Sequence, residues 1–156
     1  MILDKMQFVL KRLYRMTGIP IRCLDEKGER AWLSMGLSAE SDPVVQDRGL
    51  FQELASVKDK HKLPILVGDD EGFVYGVFCL ESLDIVVFGP VCQDPADAVV
   101  LRRYARKHLI LADGSFYGIN RSHGELAAAL ALASHLLTGS EADEDEIIRR
   151  SGRLAG

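Results

Sequence analysis

The stretch of residues 72–91, GFVYGVFCLESLDIVVFGPV, constrains the fold of this chain more than any other. Bulky apolar residues occupy both sets of alternating positions in its two halves, a pattern typical of strands that are buried on both faces in the middle of a sheet. Between the halves, Glu81-Ser82-Leu83-Asp84 is short and polar at both ends. We therefore predict two long strands that are joined by a hairpin loop and paired antiparallel.

Two long helices are predicted near the two ends of the chain. Residues 2–16 carry apolar side chains three and four positions apart, and Thr17-Gly18 ends that helix. Ser122-His123-Gly124-Glu125 matches a capping box before residues 126–137, and Gly139 follows as a left-handed cap.

The second of these helices is apolar over so much of its circumference that it needs cover on more than one side. The sheet is the natural cover for one side, and a second subunit is the natural cover for the other. For the first helix, packing within the chain alone is the ordinary alternative. The residues predicted to form a dimer interface are Met6, Leu13, Leu126, Leu130 and Leu137.

The remaining patterns predict an α+β fold, with an antiparallel sheet of about five strands and flanking helices. Residues 19–24 and 30–33 form a second hairpin, and residues 63–67 a further strand. Helices are expected from Pro43 to about residue 57, with Gly49 as a weak point, and from Pro95 to about His108 behind a cap at Asp94. The predicted domain covers residues 1–139, followed by a short helix and a linker or tail in residues 140–156.

Length and charge narrow the classes of protein. The chain has 156 residues, 47% of them apolar, and a formal net charge of −4, which suits a single globular domain. A freestanding nucleic-acid binder usually has a strong basic excess, and this chain has none. No apolar run approaches the roughly 20 residues that span a bilayer, and charges interrupt the N-terminus where a signal peptide would be apolar. We therefore predict a cytoplasmic protein without membrane contact.

No catalytic or metal-binding motif is present in the sequence. GxSxG and HExxH are missing, and the four histidines (His61, His108, His123 and His135) have no recognised ligand spacing. The acidic turn at residues 69–71 lacks the oxygen spacing of a calcium loop. We accordingly predict no catalytic residue, no metal and no cofactor, and we expect the chain not to be an enzyme.

Two other groups of residues have a functional interpretation beside an ordinary one. Cys92 precedes a predicted helix start, which lowers a thiol pKa, although Asp94 opposes that effect. Arg102, Arg103, Arg106 and Lys107 form a basic helix face, for which solvation is the default interpretation. Side chains on the predicted strands are either core or the lining of a ligand pocket between sheet and helices. The residues predicted to bind a ligand are Trp32, Tyr75, Cys79 and Phe88.

Four short motifs carry a resemblance to a known family. They are LYRMTGIP at residues 13–20, FGPV at residues 88–91, YGIN at residues 117–120 and LLTG at residues 136–139. With these motifs in this order, the chain resembles the N-terminal sensory domain of AraC-type bacterial transcription regulators over nearly its whole length, to about Arg150.

The resemblance implies a PAS- or GAF-like fold and a signal-sensing and dimerisation role. It implies a homodimer, an unidentified small-molecule effector or partner signal, and DNA binding by a helix-turn-helix domain C-terminal to this one. These 156 residues do not contain that DNA-binding domain, which departs from a complete regulator. Two alternatives stay open: a stand-alone protein-interaction module without a ligand, and a small cysteine-dependent enzyme.

Overall fold

The computed structural model describes residues 2–60, 64–111 and 119–154. Helices pack on both faces of one mixed, mostly antiparallel sheet, so the fold is α+β. In chain order the elements are α1 (Ile2–Thr17), β1 (Ile21–Leu24), β2 (Ala31–Met35), a short 3-10 helix (Ala39–Ser41), α2 (Pro43–Gln46), α3 (Arg48–Lys60), β3 (Ile65–Gly68), β4 (Phe73–Cys79), β5 (Ile85–Cys92), α4 (Ala98–Lys107), β6 (Ile119–Asn120), α5 (His123–Thr138), α6 (Glu144–Arg149) and β7 (Gly152–Arg153).

The sheet is built around the central hairpin that the sequence predicts. Its strand order is β2-β1-β5-β4-β3-β7, with β6 beside the end of β5. Strands β4 and β5 pair antiparallel, with Phe78 and Phe88 buried on one face and Tyr75 and Val87 on the other, which confirms a hairpin that is covered on both sides. Two short parallel pairings, β3 with β7 and β5 with β6, raise the sheet in the described residues to seven strands, where about five were predicted.

The two faces of the sheet carry separate hydrophobic cores. On the first face, α1, α5 and α6 cover residues that include Ile21, Phe78 and Phe88. On the second face, α2, α3 and α4 cover residues that include Tyr75 and Val87. Because side chains alternate along a strand, neighbours in β4 and β5 serve opposite cores. The central strands therefore lie between two helical layers and contribute side chains to both cores.

Helix ends follow the predicted capping residues in part. The capping box of α5 is present: Ser122 Oγ accepts from the Glu125 amide, and Glu125 Oε1 accepts from the Ser122 amide. By contrast, α4 begins at Ala98 and not at Pro95, because Asp97 is the residue whose carboxylate accepts from the amide of Val100. The helix expected from Pro43 to residue 57 is two helices, and the break lies at Asp47, not at Gly49.

The C-terminal region contains the predicted short helix, and it packs against the rest of the fold. Ala142, which precedes α6, and Ile147 within α6 are buried in the first-face core, and β7 joins the sheet beside β3. Two residues of the predicted motif at 117–120, Tyr117 and Gly118, lie outside the described residues, as do His61 and Leu63. Within the described ranges, every helix is too short or too polar to cross a bilayer.

Candidate functional site

A buried ion pair lies on the second face, where β1 meets the start of α2. Arg22 Nε and Nη2 donate to the two carboxylate oxygens of Asp42 at 3.1 and 3.0 Å, and both side chains are 1% exposed. Arg22 Nη1 also donates to the carbonyls of Val87 and Gly89, at 3.3 and 2.6 Å. Asp42 Oδ1 in turn accepts from the amide of Val44 and caps α2. The pair therefore ties β1 and β5 to α2, and each charged group has several partners.

The glycine of the FGPV motif belongs to this network. Gly89 has φ +107°, a conformation that favours glycine, and a Cβ there would come within 2.7 Å of the Val74 carbonyl. Its amide donates to the carbonyl of Pro20 at 2.8 Å, and its carbonyl receives the shortest Arg22 bond. The backbone of the FGPV motif therefore binds the buried side chain of Arg22.

A second set of buried contacts, between aromatic groups, joins β4 to α4. The hydroxyls of Tyr75 and Tyr104 share a hydrogen bond, and burial raises the pKa of Tyr75 well above its usual value. Phe73 stacks on Tyr104 with 3.9 Å between ring centroids, and Tyr104 meets the ring of His108 edge-on at 4.4 Å. Tyr75 is therefore a neutral phenol at physiological pH, and it acts as a hydrogen-bonding group.

Asp47 and His108 join the break between α2 and α3 to the end of α4. Asp47 Oδ2 lies 2.6 Å from His108 Nδ1, while Asp47 Oδ1 accepts from the amide of Leu50 and caps α3. The His108 residue is only 4% exposed. The Asp47 carboxylate thus caps α3 and also fixes the orientation of the buried His108 imidazole.

A polar cleft opens beside this pair. It has a volume of about 140 Å³, and its walls bring together groups of both charge signs from α3, α4 and the end of β3. Burial raises the pKa of the Asp69 carboxyl above its usual value, against the hydrogen bonds that it accepts from the amides of Phe73 and Glu71 and against the charge of Lys107. The residues lining the cleft are Asp47, Gly49, Leu50, Glu53, Asp69, Lys107, His108 and Leu154.

This cleft suits a small polar ligand and not a large apolar one. Its volume lies below the range of roughly 300–1,000 Å³ that is usual for drug-sized ligands. Carboxylates, an ammonium group and an imidazole offer both donors and acceptors. In the part of the chain that the structure describes, no set of three His, Cys, Asp or Glu side chains is arranged to hold a metal ion.

The four residues predicted to bind a ligand do not form one pocket. Phe88 pairs with Gly76, so it lies on the first face, whereas Tyr75 lies on the second. Trp32 is half-buried against the first-face core, and its Nε1 donates to Asp84 at 3.3 Å. Cys79 is half-buried at the end of β4, with its thiol against the carbonyl of Leu80. The sequence identified strand residues, but their alternation separates them by the thickness of the sheet.

The thiol considered as a nucleophile is poorly placed for that role. Cys92 is buried, and burial raises its pKa to about 11, so very little thiolate exists at neutral pH. Cys92 is also farther from the start of the next helix than predicted, because α4 begins at Ala98 and not at Pro95. Cys23 is buried as well, and its pKa is raised to about 12. These environments are those of structural thiols.

Most residues predicted for a dimer interface are instead part of the first-face core. Met6, Leu13, Leu126 and Leu130 are buried between the helices and the sheet, and only Leu137 of the five is half-buried. The apolar side chains that α1 and α5 expose are others: Phe8, Met16, Leu132 and Leu136. The helical periodicity predicted the apolar stripes correctly. The sheet, however, covers the side of each stripe that was predicted to bind a partner.

A groove lies between α1 and α5 on the outside of the first-face layer. It has a volume of about 460 Å³ and is lined by Leu13, Met16, Thr17, Arg121, Glu125, Ala128, Ala129 and Leu132. Leu132 is 44% exposed and Leu136, one turn later, is 40% exposed. This outer face of α1 and α5 is one apolar surface that the described residues leave uncovered; Val99, Leu109 and Leu111 are exposed elsewhere.

Sequence reasoning missed the charged residues of the second face. Arg22 stands inside an apolar strand, which is a signal that its charge must be paired, yet no spacing connects it with Asp42. Asp47 and His108 are 61 positions apart, so only the fold brings them together. On the predicted basic face of α4, Arg103 pairs with Glu71 at 3.1 Å, and Lys107 lines the polar cleft.

Comparisons of this chain with protein-family models, with curated proteins and with solved structures found no match. The resemblance to AraC-type sensory domains therefore stays a prediction from the motifs.

Proposed function

We propose that this chain is the cytoplasmic signal-sensing and dimerisation domain of an AraC-type bacterial transcription regulator, with a PAS- or GAF-like fold. DNA would be bound by a helix-turn-helix domain C-terminal to it. A mostly antiparallel sheet with helices on both faces is compatible with that fold. Three of the four motifs also have defined positions in the fold. Residues 13–20 join α1 to β1, and residues 88–91 include the Gly89 carbonyl that accepts from Arg22. Residues 136–139 end α5 at Gly139, which is in the left-handed conformation.

The proposal is supported chiefly by the position of α5, which packs on the sheet with one side and exposes apolar residues on the other. On its inner side, Leu130 packs so closely on β4 that a Cβ at Gly76 would lie 3.2 Å from the leucine methyl groups. On its outer side, Leu132 and Leu136 are exposed beside the groove. A change in the sheet would therefore move a helix that also contacts a partner, which is how a ligand shifts the population of an assembly.

The occupant that suits this outer face is a second copy of the chain. Arg121 Nε donates to the carbonyl of Thr17, so the end of α1 meets the start of α5 and the two helices run antiparallel. Exposed basic residues lie in the second half of α1, toward that end, and exposed acidic residues follow the other end of α5. They are Lys11, Arg12 and Arg15 on one side, and Glu141, Asp143, Glu144 and Asp145 on the other.

A two-fold axis perpendicular to the groove would place the basic end of one copy on the acidic end of the other. Such isologous contacts are the commonest form of homodimer. Opposite charges at the rim then set the orientation, and the exposed leucines supply the buried area. Leu132 lies near the middle of α5, so it would be close to its own copy across the axis.

Cysteine cross-linking tests this arrangement. In a Cys79→Ser background, Leu132→Cys is expected to give a disulfide-linked dimer under mild oxidation. Val99→Cys is the matched control, because Val99 is 58% exposed on α4, in the opposite layer. Equal cross-linking of the two variants would mean random collision and would contradict the proposed face.

We propose that the effector binds in the polar cleft of the second face. Asp47, Lys107 and His108 line it, and His108 contacts Tyr104, whose hydroxyl bonds to that of Tyr75 on β4. Native mass spectrometry of freshly purified chain is expected to show a small polar adduct that is lost in His108→Ala and kept in His123→Ala. An adduct that survives both substitutions would place the effector elsewhere.

A further inference from the structure

The last described strand lies at the edge of the sheet. Strand β7 pairs parallel with β3, matching Val67 with Gly152 and Gly68 with Arg153. The amide of Leu154 donates to the carbonyl of Gly68 at 2.9 Å, and Arg153 Nη2 contacts Asp70 Oδ1 at 2.6 Å. Residues 152–154, here called the latch segment, therefore occupy backbone groups of β3 that a bare edge would leave open.

The latch segment connects the two faces of the sheet. Ile147, just before it, is buried in the first-face core with α5. Leu154, at its other end, packs against the second-face core and forms a wall of the polar cleft. The chain thus passes around the β3 edge, from the layer that contains the proposed dimer face to the cleft with Asp47 and His108.

Few interactions hold the latch segment in place. The strand has two paired residues, and the ion pair of Arg153 with Asp70 is largely exposed on both sides, where such pairs contribute little. Leu154 is half-buried, whereas every residue of the central strand β5 is buried. Segments with few buried contacts open locally without global unfolding.

We propose that residues 152–154 form a detachable latch that closes one side of the polar cleft. The latch also couples the opening of the cleft to the anchoring of α6. When the latch is docked, Leu154 covers the cleft beside His108. When it detaches, the cleft widens and α6 loses the anchor that follows it. This inference rests on the sensory function proposed above, since a route from cleft to helical layer serves a sensor.

Hydrogen–deuterium exchange of the whole chain tests the latch directly. The amides of residues 152–154 are expected to exchange at least about tenfold faster than those of β4 and β5, because they open locally. Leu154→Ala should speed their exchange further and leave β4 and β5 unchanged, and Arg153→Ala should act in the same direction with a smaller effect. Val99→Ala, an exposed apolar truncation on α4, is the matched control and should change nothing.

Carbethoxylation of histidines gives a second readout. His108 is buried beside Leu154 and is expected to react slowly in the wild type and several-fold faster in Leu154→Ala, while His135 reacts equally in both. The proposal is overturned if residues 152–154 exchange only together with β4 and β5. Because neither readout depends on self-association, a monomeric chain with a detachable latch would contradict the dimer and leave the latch standing.

Discussion

Asp47 and His108 lie 61 positions apart in the chain, and their side chains meet at 2.6 Å on the second face of the sheet. The contact joins the start of α3 to the end of α4, since Asp47 also caps α3 through the amide of Leu50. Both residues line the polar cleft, together with Leu154. The stability of the second-face layer and the proposed sensing site therefore depend on the same two side chains.

Removing the imidazole should destabilise the fold. His108→Ala leaves a cavity beside Tyr104 and deprives Asp47 of its partner, so we expect a loss of about 1–3 kcal/mol in the free energy of unfolding. His123→Ala at the start of α5 is the control, with an expected change within about 0.5 kcal/mol. Urea denaturation measures both variants, and losses of equal size would show that the Asp47 contact is not structural.

The buried ion pair should show strong coupling. Arg22→Met leaves the Asp42 carboxylate buried without its partner, which is expected to cost about 3–5 kcal/mol. Adding Asp42→Asn removes that stranded charge and keeps an oxygen to cap α2, so the double variant should be more stable than the sum of the single losses predicts. Strict additivity in a double-mutant cycle would contradict the network.

The sequence predicts most of the fold because its signals are local. Alternation identified β4 and β5, and Ser122 with Glu125 identified the start of α5. The start of α4 was wrong because Asp94-Pro95 and Asp97 carry similar capping signals, and only packing chooses between them. Strand β7 was missed because two residues held by backbone pairing have no periodicity.

The candidate site was less predictable, for a reason that the residues make clear. Arg22 and Asp42, like Asp47 and His108, become partners only when the helices fold back on the sheet. The predicted ligand residues Tyr75 and Phe88 are single positions on strands, and their faces follow from the register of β4 with β5. The predicted interface stripe was real, but the sheet covers it.

The pH dependence of stability should change in Asp69→Asn. Burial raises the pKa of this carboxyl, so the folded state holds its proton more tightly than the unfolded state, and stability falls as pH rises from the usual 3.8 to the raised value. Asparagine keeps the Oδ1 acceptor for the amides of Glu71 and Phe73 without the charge. Its advantage over the wild type should grow across that pH window, and parallel curves of thermal stability would contradict this.

Thiol reactivity should follow burial. Cys23 and Cys92 have pKa values raised to about 12 and about 11, and Cys79 is the half-buried thiol at the end of β4. Iodoacetamide at pH 8 should therefore modify Cys79 first, and the other two only in denaturant. Peptide mapping by mass spectrometry gives the order. Rapid native labelling of Cys92 would revive the cysteine-dependent enzyme as the better account.

The proposed function requires the outer face of α1 and α5 to bind a second copy of the chain. Sedimentation velocity over a hundredfold range of concentration tests it most directly, with the wild type, Leu132→Glu and the control Val99→Glu measured side by side. We predict a concentration-dependent dimer for the wild type and for Val99→Glu, and a monomer for Leu132→Glu. A wild-type chain that sediments as a monomer at every concentration would contradict the account.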